Sequence, residues 1–312
     1  MKGNMKDQTF GVEVEMNNIK RKDAAQIAAG FFQTNRFSDT HVVNGYMTWS
    51  AWDQQGREWK FQKDVSIHGA DDEKCEMVTP ILRYDDMETL QELLRVLRHA
   101  GAKSSAQRCC GVHIHIGADG HDARSLRNLA NIMAAHEDFL VAALKLDRFR
   151  LHQYCRPVDP RFLDRVNAQK PKTMTELADV WYESQNCNYC RDHHYNDSRY
   201  HMLNLHATFT KGTVEFRLFQ FDDPGVTKDG RRYYGGIHAG QLKSYVQLCL
   251  ALSQMAKDVR CANPKKQTTD NPKYAMRTWL LRLGFIGDEF KTARSVLTRN
   301  LEGNAAWRRT VA

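Results

Sequence analysis

One pattern, written three times, most constrains what this chain can fold into. Phe10-Gly11-Val12-Glu13-Val14-Glu15-Met16, Gly111-Val112-His113-Ile114-His115-Ile116 and Thr213-Val214-Glu215-Phe216-Arg217-Leu218 each alternate an apolar residue with a charged or imidazole one. Side chains two residues apart on a β-strand share a face. Each run therefore buries its Val, Ile, Met, Phe or Leu row and presents its polar pair on the other side. Half-solvated strands alternate too, but their wet rows carry Lys, Thr and Ser. Here the rows are Glu/Glu, His/His and Glu/Arg. Gathered in one sheet, they make a face suited to holding metal ions and an anion.

The chain has 312 residues, 42% of them apolar and 26% charged. That composition is ordinary for a globular protein with a substantial core, and the length allows about two domains or one large one. The opening Met-Lys-Gly-Asn-Met-Lys-Asp has no apolar stretch of the secretory kind, and no run approaches the length of a membrane span. A cytoplasmic location without membrane contact is the expectation. The net charge of +8 attracts phosphorylated ligands as readily as nucleic acid. Without zinc-finger or RNP-like spacing, nucleic acid has little support. The eight cysteines read as free thiols in such a chain.

Periodicity and capping place the elements. A strand is expected over 8–16, a helix opened by Asp23 over 22–33 with Ile27, Ala28 and Phe31 on one face, and two strands around Gly56 within 41–63. A strand over 75–82 ends at Pro80. Asp85 and Glu88 read as a capping box for a helix over 86–100 that stops at Gly101. A strand over 108–117 and a long helix over 122–146 follow, and Thr173 with Glu176 caps another helix. Residues 201–210 and 213–221 resemble a hairpin around Lys211-Gly212, and 237–258 is a long apolar helix. The expected fold is α+β, with helices on the apolar face of a largely antiparallel sheet. Residues 1–245 form its main body and 246–312 a helical extension.

Two carboxylates at i and i+2 on one strand face, as at Glu13 and Glu15, repel unless a cation lies between them. Mg²⁺ and Mn²⁺ prefer such hard oxygen ligands; a plain exposed acidic face is the other reading. His113 and His115 can supply two metal-ligating nitrogens, or one ligand and one phosphate contact. Glu215 and Arg217 would ordinarily make a surface ion pair worth ~0–1 kcal/mol. Beside the other polar rows they read as a metal ligand and a phosphate clamp, since the planar guanidinium binds phosphate in a fork. Glu76 sits in an otherwise apolar strand, which demands solvent or a partner.

Five segments occur in order: Gly-Val-Glu-Val-Glu from Gly11, Lys63-Asp64-x-Ser66 leading to Glu76-x-Val78-Thr79-Pro80-Ile81-Leu82, Cys110-Gly-Val-His-Ile-His115, Arg199-Tyr200-x-x-Leu203-Asn204 and Val214-Glu-Phe-Arg-Leu-Phe219. Together they resemble the amidoligase family, a branch of the carboxylate–amine ligases similar to glutamine synthetase and glutamate–cysteine ligase. The match runs over roughly 8–245; Val65 stands where the family more usually has Gly. The resemblance implies a curved antiparallel sheet with the site on its concave face and helices on the convex one. It implies two or three Mg²⁺ or Mn²⁺ ions on Glu13, Glu15, Glu76, Glu215 and His113. Arg217 and Arg199 would hold the γ-phosphate of ATP, with His115 and Lys60 as further phosphate contacts, and Asp64, Ser66 and Asn204 would face the substrate. The implied reaction joins a carboxylate to an amine, carried by a small molecule, peptide or protein side chain, through an acyl phosphate.

A metal-dependent hydrolase using the same Glu and His residues is the rival, and a nucleic-acid-binding protein the third reading. Cys187-x-x-Cys190 can contribute two ligands of a minor zinc site, completed by Cys155 or His201; an exposed loop with free thiols is the alternative.

Overall fold

The alternation of β1 (Phe10–Met16) becomes a two-faced strand: Phe10, Val12, Val14 and Met16 are all buried, with Glu13 and Glu15 on the opposite row. In the computed structural model of the chain, residues 3–41, 45–226, 230, 232–233 and 235–307 are described. β1 joins β2 (Phe37–His41), β3 (Thr48–Trp52), β4 (Glu58–Gln62), β5 (Cys75–Val78), β6 (Val112–Gly117), β7 (Leu203–Asn204) and β8 (Thr213–Phe219) in an eight-stranded sheet of order β2-β3-β4-β5-β1-β6-β8-β7. The pairs β2–β3, β3–β4, β4–β5, β5–β1 and β7–β8 are antiparallel. The mixed α+β class is as the sequence implies.

The chain divides into two compact units. One comprises Thr9–Ile114 and Phe219–Lys243. In it α1 (Arg21–Phe31) packs on β2, β3, β4 and on α2 (Met87–His99). Leu90, Leu93, Leu94 and Leu97 of α2 are fully buried; such leucines are worth about 2–5 kcal/mol each against alanine. β3 and β4 form the expected pair, turned at Gly56, whose φ of +75° suits glycine. Trp59 and Phe61 fill the apolar face beneath them.

Three expectations in this unit are corrected. α1 starts at Arg21, ahead of Asp23, and buries Ala24, Ala25, Ala28 and Ala29 where Ile27 and Phe31 were expected. The cause is tertiary: the buried Arg21 guanidinium donates to the carbonyls of Met47 (3.2 Å), Asp71 (2.7 Å) and Lys74 (2.7 Å). The box at Asp85 and Glu88 does not form, because Asp86 is the carboxylate that accepts from the Arg83 amide (2.8 Å) and from both ends of the Arg57 fork. β2 lies almost wholly in a stretch to which the sequence assigned no element, and is held by β3.

The other unit comprises Met1–Gln8, His115–Leu218 and Ser244–Ala312. Its longest helix, α3 (Ala123–Leu144), opens on the Asp122–Ser125 capping box and buries Leu126, Leu129, Met133, Leu140 and Leu144 as its spacing requires. α4 (Arg148–Gln153), α5 (Pro160–Gln169) and α6 (Met174–Ser184) follow, the last capped by Thr173 and Glu176 as expected. The hairpin around Lys211-Gly212 is corrected. β7 and β8 do pair, but α7 (His206–Lys211) joins them and ends at Gly212 in the left-handed region (φ +68°). α8 (Ala239–Asp258), α9 (Pro272–Arg282) and α10 (Lys291–Val296) make the C-terminal third helical. No helix among the described residues is long and apolar enough to cross a membrane.

Candidate active site

The strand register assembles the first cluster. Gln62 of β4, Glu76 of β5 and Glu15 of β1 stand directly opposite one another across three neighbouring strands. Gln62 Nε2 donates to Glu76 Oε2 at 2.7 Å. One row along, Glu13 comes close to His113, whose Nδ1 is 3.0 Å from Glu13 Oε2 and whose Nε2 is 3.6 Å from Glu15 Oε1. The second distance exceeds a hydrogen bond. Glu15 also accepts the Gly111 amide proton, which ties β1 to the start of β6. Asp64, in the loop after β4, completes the group, its side chain fixed by Ser66 through backbone and hydroxyl bonds of 2.7 Å each.

Two sets of donor atoms here lie within 4.8 Å of one another: Glu13 with Glu76 and His113, and Glu15 with Asp64 and Glu76. Burial, and then the charges of Glu13, Asp64 and Glu15, push the Glu76 carboxyl well above the usual carboxylate range. Like charges directly opposite on adjacent strands destabilise a sheet, and buried carboxylates without a cation favour the protonated form. An oxygen-rich set with one imidazole is the chemistry of Mg²⁺ or Mn²⁺, so these residues fit such an ion.

The second cluster is carried by the far end of β6 and by β8. His115 Nδ1 lies 2.9 Å from Thr213 Oγ1, and its Nε2 is 3.9 Å from Glu215 Oε1. Glu215 and Arg217 are both buried. Glu215 accepts from Asn204 Nδ2 at 2.6 Å through Oε2 and from Arg217 Nη1 through Oε1. Arg217 Nε reaches the Tyr154 carbonyl at 3.4 Å, and the guanidinium lies 5.8 Å from the Tyr200 ring centre. The Arg199 guanidinium is 5.7 Å from the same ring. One tyrosine thus gathers two cations in a geometry where each gains from the π-face.

The structure distributes the residues singled out from sequence as follows. Glu13, Glu15, Glu76, His113 and Asp64 come together, with Ser66 fixing Asp64; His115, Glu215, Arg217 and Asn204 come together; Arg199 meets Arg217 across Tyr200. Lys60 is in register with Val78, which also stands opposite Glu13, and its amine is 3.7 Å from Glu58. The β4 residue that bonds Glu76 is Gln62, missed in the sequence although it lies two residues from Lys60 on the same row. Thr213 was missed as well, though period two from Glu215 places it beside the polar pair.

Among the described residues no cluster of three ligating groups includes Cys187 or Cys190. Their loop is closed by Asn196, whose Nδ2 donates to the Cys187 carbonyl (3.0 Å) and the Cys190 carbonyl (2.8 Å). His201 Nδ1 lies 2.6 Å from the Pro157 carbonyl.

The profile of one protein family, described as "Putative amidoligase enzyme", matches residues 6–253, a span that includes every residue of both clusters. No curated protein matches the chain.

Proposed function

Because this chain belongs to the amidoligase enzyme family, we propose that it joins a carboxylate to an amine at the expense of ATP, through an acyl phosphate. A carboxylate is a poor electrophile because oxide is a poor leaving group. In the proposed first step a carboxylate oxygen of the substrate attacks the γ-phosphorus and ADP departs. In the second the amine nitrogen attacks the carbonyl carbon, phosphate departs, and the nitrogen loses a proton to give the amide. Phosphoryl transfer of this kind needs alignment and charge neutralisation more than a nucleophilic side chain.

Glu13, Glu15, Glu76 and His113, with Asp64 beside them, would hold divalent ions, and His115 with Glu215 would provide further ligands or a phosphate contact. Bound there, Mg²⁺ or Mn²⁺ supplies positive charge against the polyphosphate. Arg217 is the residue best prepared to meet the transferred phosphoryl group. Glu215 and the Tyr154 carbonyl hold its guanidinium in one orientation, so little ordering remains when charge develops. Arg199 acts from the other contact of Tyr200, and Asn204 keeps Glu215 aimed.

The observation that carries this reading is the crowding of buried and half-buried carboxylates around Glu76. Such a group is unfavourable alone and favourable around a cation. The test incubates the protein with ATP, Mg²⁺ and hydroxylamine against a panel of carboxylates. A hydroxamate formed in step with ADP is the expected product. ADP release that ignores every carboxylate, or a hydroxamate formed without ATP, contradicts the proposal. Glu215→Ala or Arg217→Ala with turnover intact contradicts the assignment of residues.

A further inference from the structure

A cavity of about 580 Å³ has Tyr154, Arg156, Asp197, Tyr200 and His201 in its wall. Its relation to the second cluster is direct. Arg217 donates to the Tyr154 carbonyl and faces the Tyr200 ring, so the residues that orient the guanidinium also form the cavity wall.

The wall is firmly built. Arg156 pairs with His201 in a parallel bridge, its amide donating to the Tyr200 carbonyl (3.0 Å) and its carbonyl accepting from Met202 (2.7 Å). The Arg156 side chain donates to the carbonyls of Tyr200 (3.2 Å) and Asp197 (3.0 Å). His201 is buried, stacked edge-on against Trp181 and bonded to the Pro157 carbonyl.

Three polar groups of this wall are left for a ligand. A carbonyl only accepts, so the Pro157 bond places the proton on His201 Nδ1 and leaves a lone pair on Nε2. Burial holds His201 down to about 4, so it stays neutral near pH 7. Among the described residues the one close hydrogen bond of the ring is this bond through Nδ1, with the Arg156 backbone also near the imidazole. Among the described residues the Arg156 side chain bonds only to carbonyls, with no carboxylate partner, and the Asp197 carboxylate has no ion partner. The remaining charges on the wall, Arg161 and Asp159, neutralise each other at 3.1 Å.

We propose that this cavity binds the amine substrate, and that this substrate is a zwitterion of amino-acid or short-peptide size. Arg156 takes its carboxylate; Asp197 and His201 Nε2 take its amino group, with the tyrosine faces along its body. A wall with one unspent charge of each sign favours such a ligand over a polyphosphate, which needs several cations, and over an apolar molecule. The choice of the amine rather than another ligand rests on the ligase reading above; the binding itself does not.

Calorimetry without ATP or metal tests it, with glycylglycine and the free amino acids as probes against n-butylamine and butyrate. The expected result is a zwitterion bound at least about tenfold more tightly than either singly charged probe, a gap of about 1.4 kcal/mol. Arg156→Ala and Asp197→Asn, both at exposed positions, should each weaken that zwitterion by a similar factor. His201→Phe should do the same with the far-ultraviolet spectrum unchanged. If no probe binds, if butylamine or butyrate binds as well as the zwitterions, or if Arg156→Ala and Asp197→Asn leave affinity unchanged, the proposal is overturned. A protein that forms hydroxamate with ATP yet binds no zwitterion keeps the ligase function and loses this cavity's assignment.

Discussion

Glu15 and Glu76 face each other across the β1–β5 pair, both buried, with no residue of either strand between them. Side chains so placed have Cβ atoms about 4.5–5.5 Å apart. Two carboxylates at that range share a site comfortably only when a proton or a cation lies with them. Burial and the neighbouring carboxylates favour the proton at Glu76, and the cation is what the proposed chemistry would substitute.

A pH dependence follows from Glu76. Its folded-state pKa lies well above the ordinary value of 4.5. Between those two values the native state holds a proton that the unfolded state has lost, so this group's contribution to stability falls as pH rises. Thermal melts of the metal-free protein should show stability declining from the carboxylate range toward neutrality. Mg²⁺ or Mn²⁺ should raise the melting temperature most at neutral pH and release protons on binding. Glu76→Gln should flatten the pH profile and shrink the metal-induced shift. A variant with the wild-type metal response would remove Glu76 from the ligand set.

Arg217 should separate function from folding when replaced in two ways. Arg217→Lys keeps a cation near Glu215 but loses the fork, and should lower kcat by roughly 10²–10³-fold, the usual cost of a lost transition-state donor. Arg217→Ala also strips Glu215 of this guanidinium in a buried setting, which destabilises by about 3–5 kcal/mol. Urea unfolding of both variants beside their turnover checks the distinction.

The β3–β4 turn that sets the register of Gln62 depends on Asp53. Its carboxylate accepts from the Gln55 and Arg57 amides (3.0 and 2.9 Å), from Arg57 Nε (2.8 Å) and from Trp59 Nε1 (3.1 Å). Asp53→Ala orphans the indole N–H of a fully buried tryptophan, costing about 1–3 kcal/mol for that donor alone. A lowered urea midpoint is expected, with Trp59 fluorescence as the probe; an unchanged midpoint would show the turn to be independent of Asp53.

The parts of the fold readable in the sequence were those whose signal is local. Period-two rows located β1, β6 and β8, and heptad-like leucines located α2 and α3, because burial of one face imposes that spacing on any such element. The parts that escaped depend on distant partners. Arg21 advances the start of α1 by reaching three carbonyls in two distant stretches, at Met47 and at Asp71 and Lys74. Asp86 displaces the expected cap because Arg57 claims it. The segment His206–Lys211, with two Thr around Phe209, reads as strand yet closes as a helix once β7 ends at Asn204. In the site, residue types gave the carboxylates and arginines, whereas Gln62 and Tyr200 carry no charge signal and emerge only from register and ring contacts.

The central claim is that the substrate carboxylate is activated by phosphoryl transfer, and one isotope measurement tests it most directly. With a carboxylate identified by the hydroxylamine screen and labelled with ¹⁸O in both oxygens, the released inorganic phosphate is analysed by mass spectrometry. One labelled oxygen per amide formed is the predicted result, since the acyl phosphate leaves with an oxygen of the carboxylate. Amide formation with unlabelled phosphate would contradict the account.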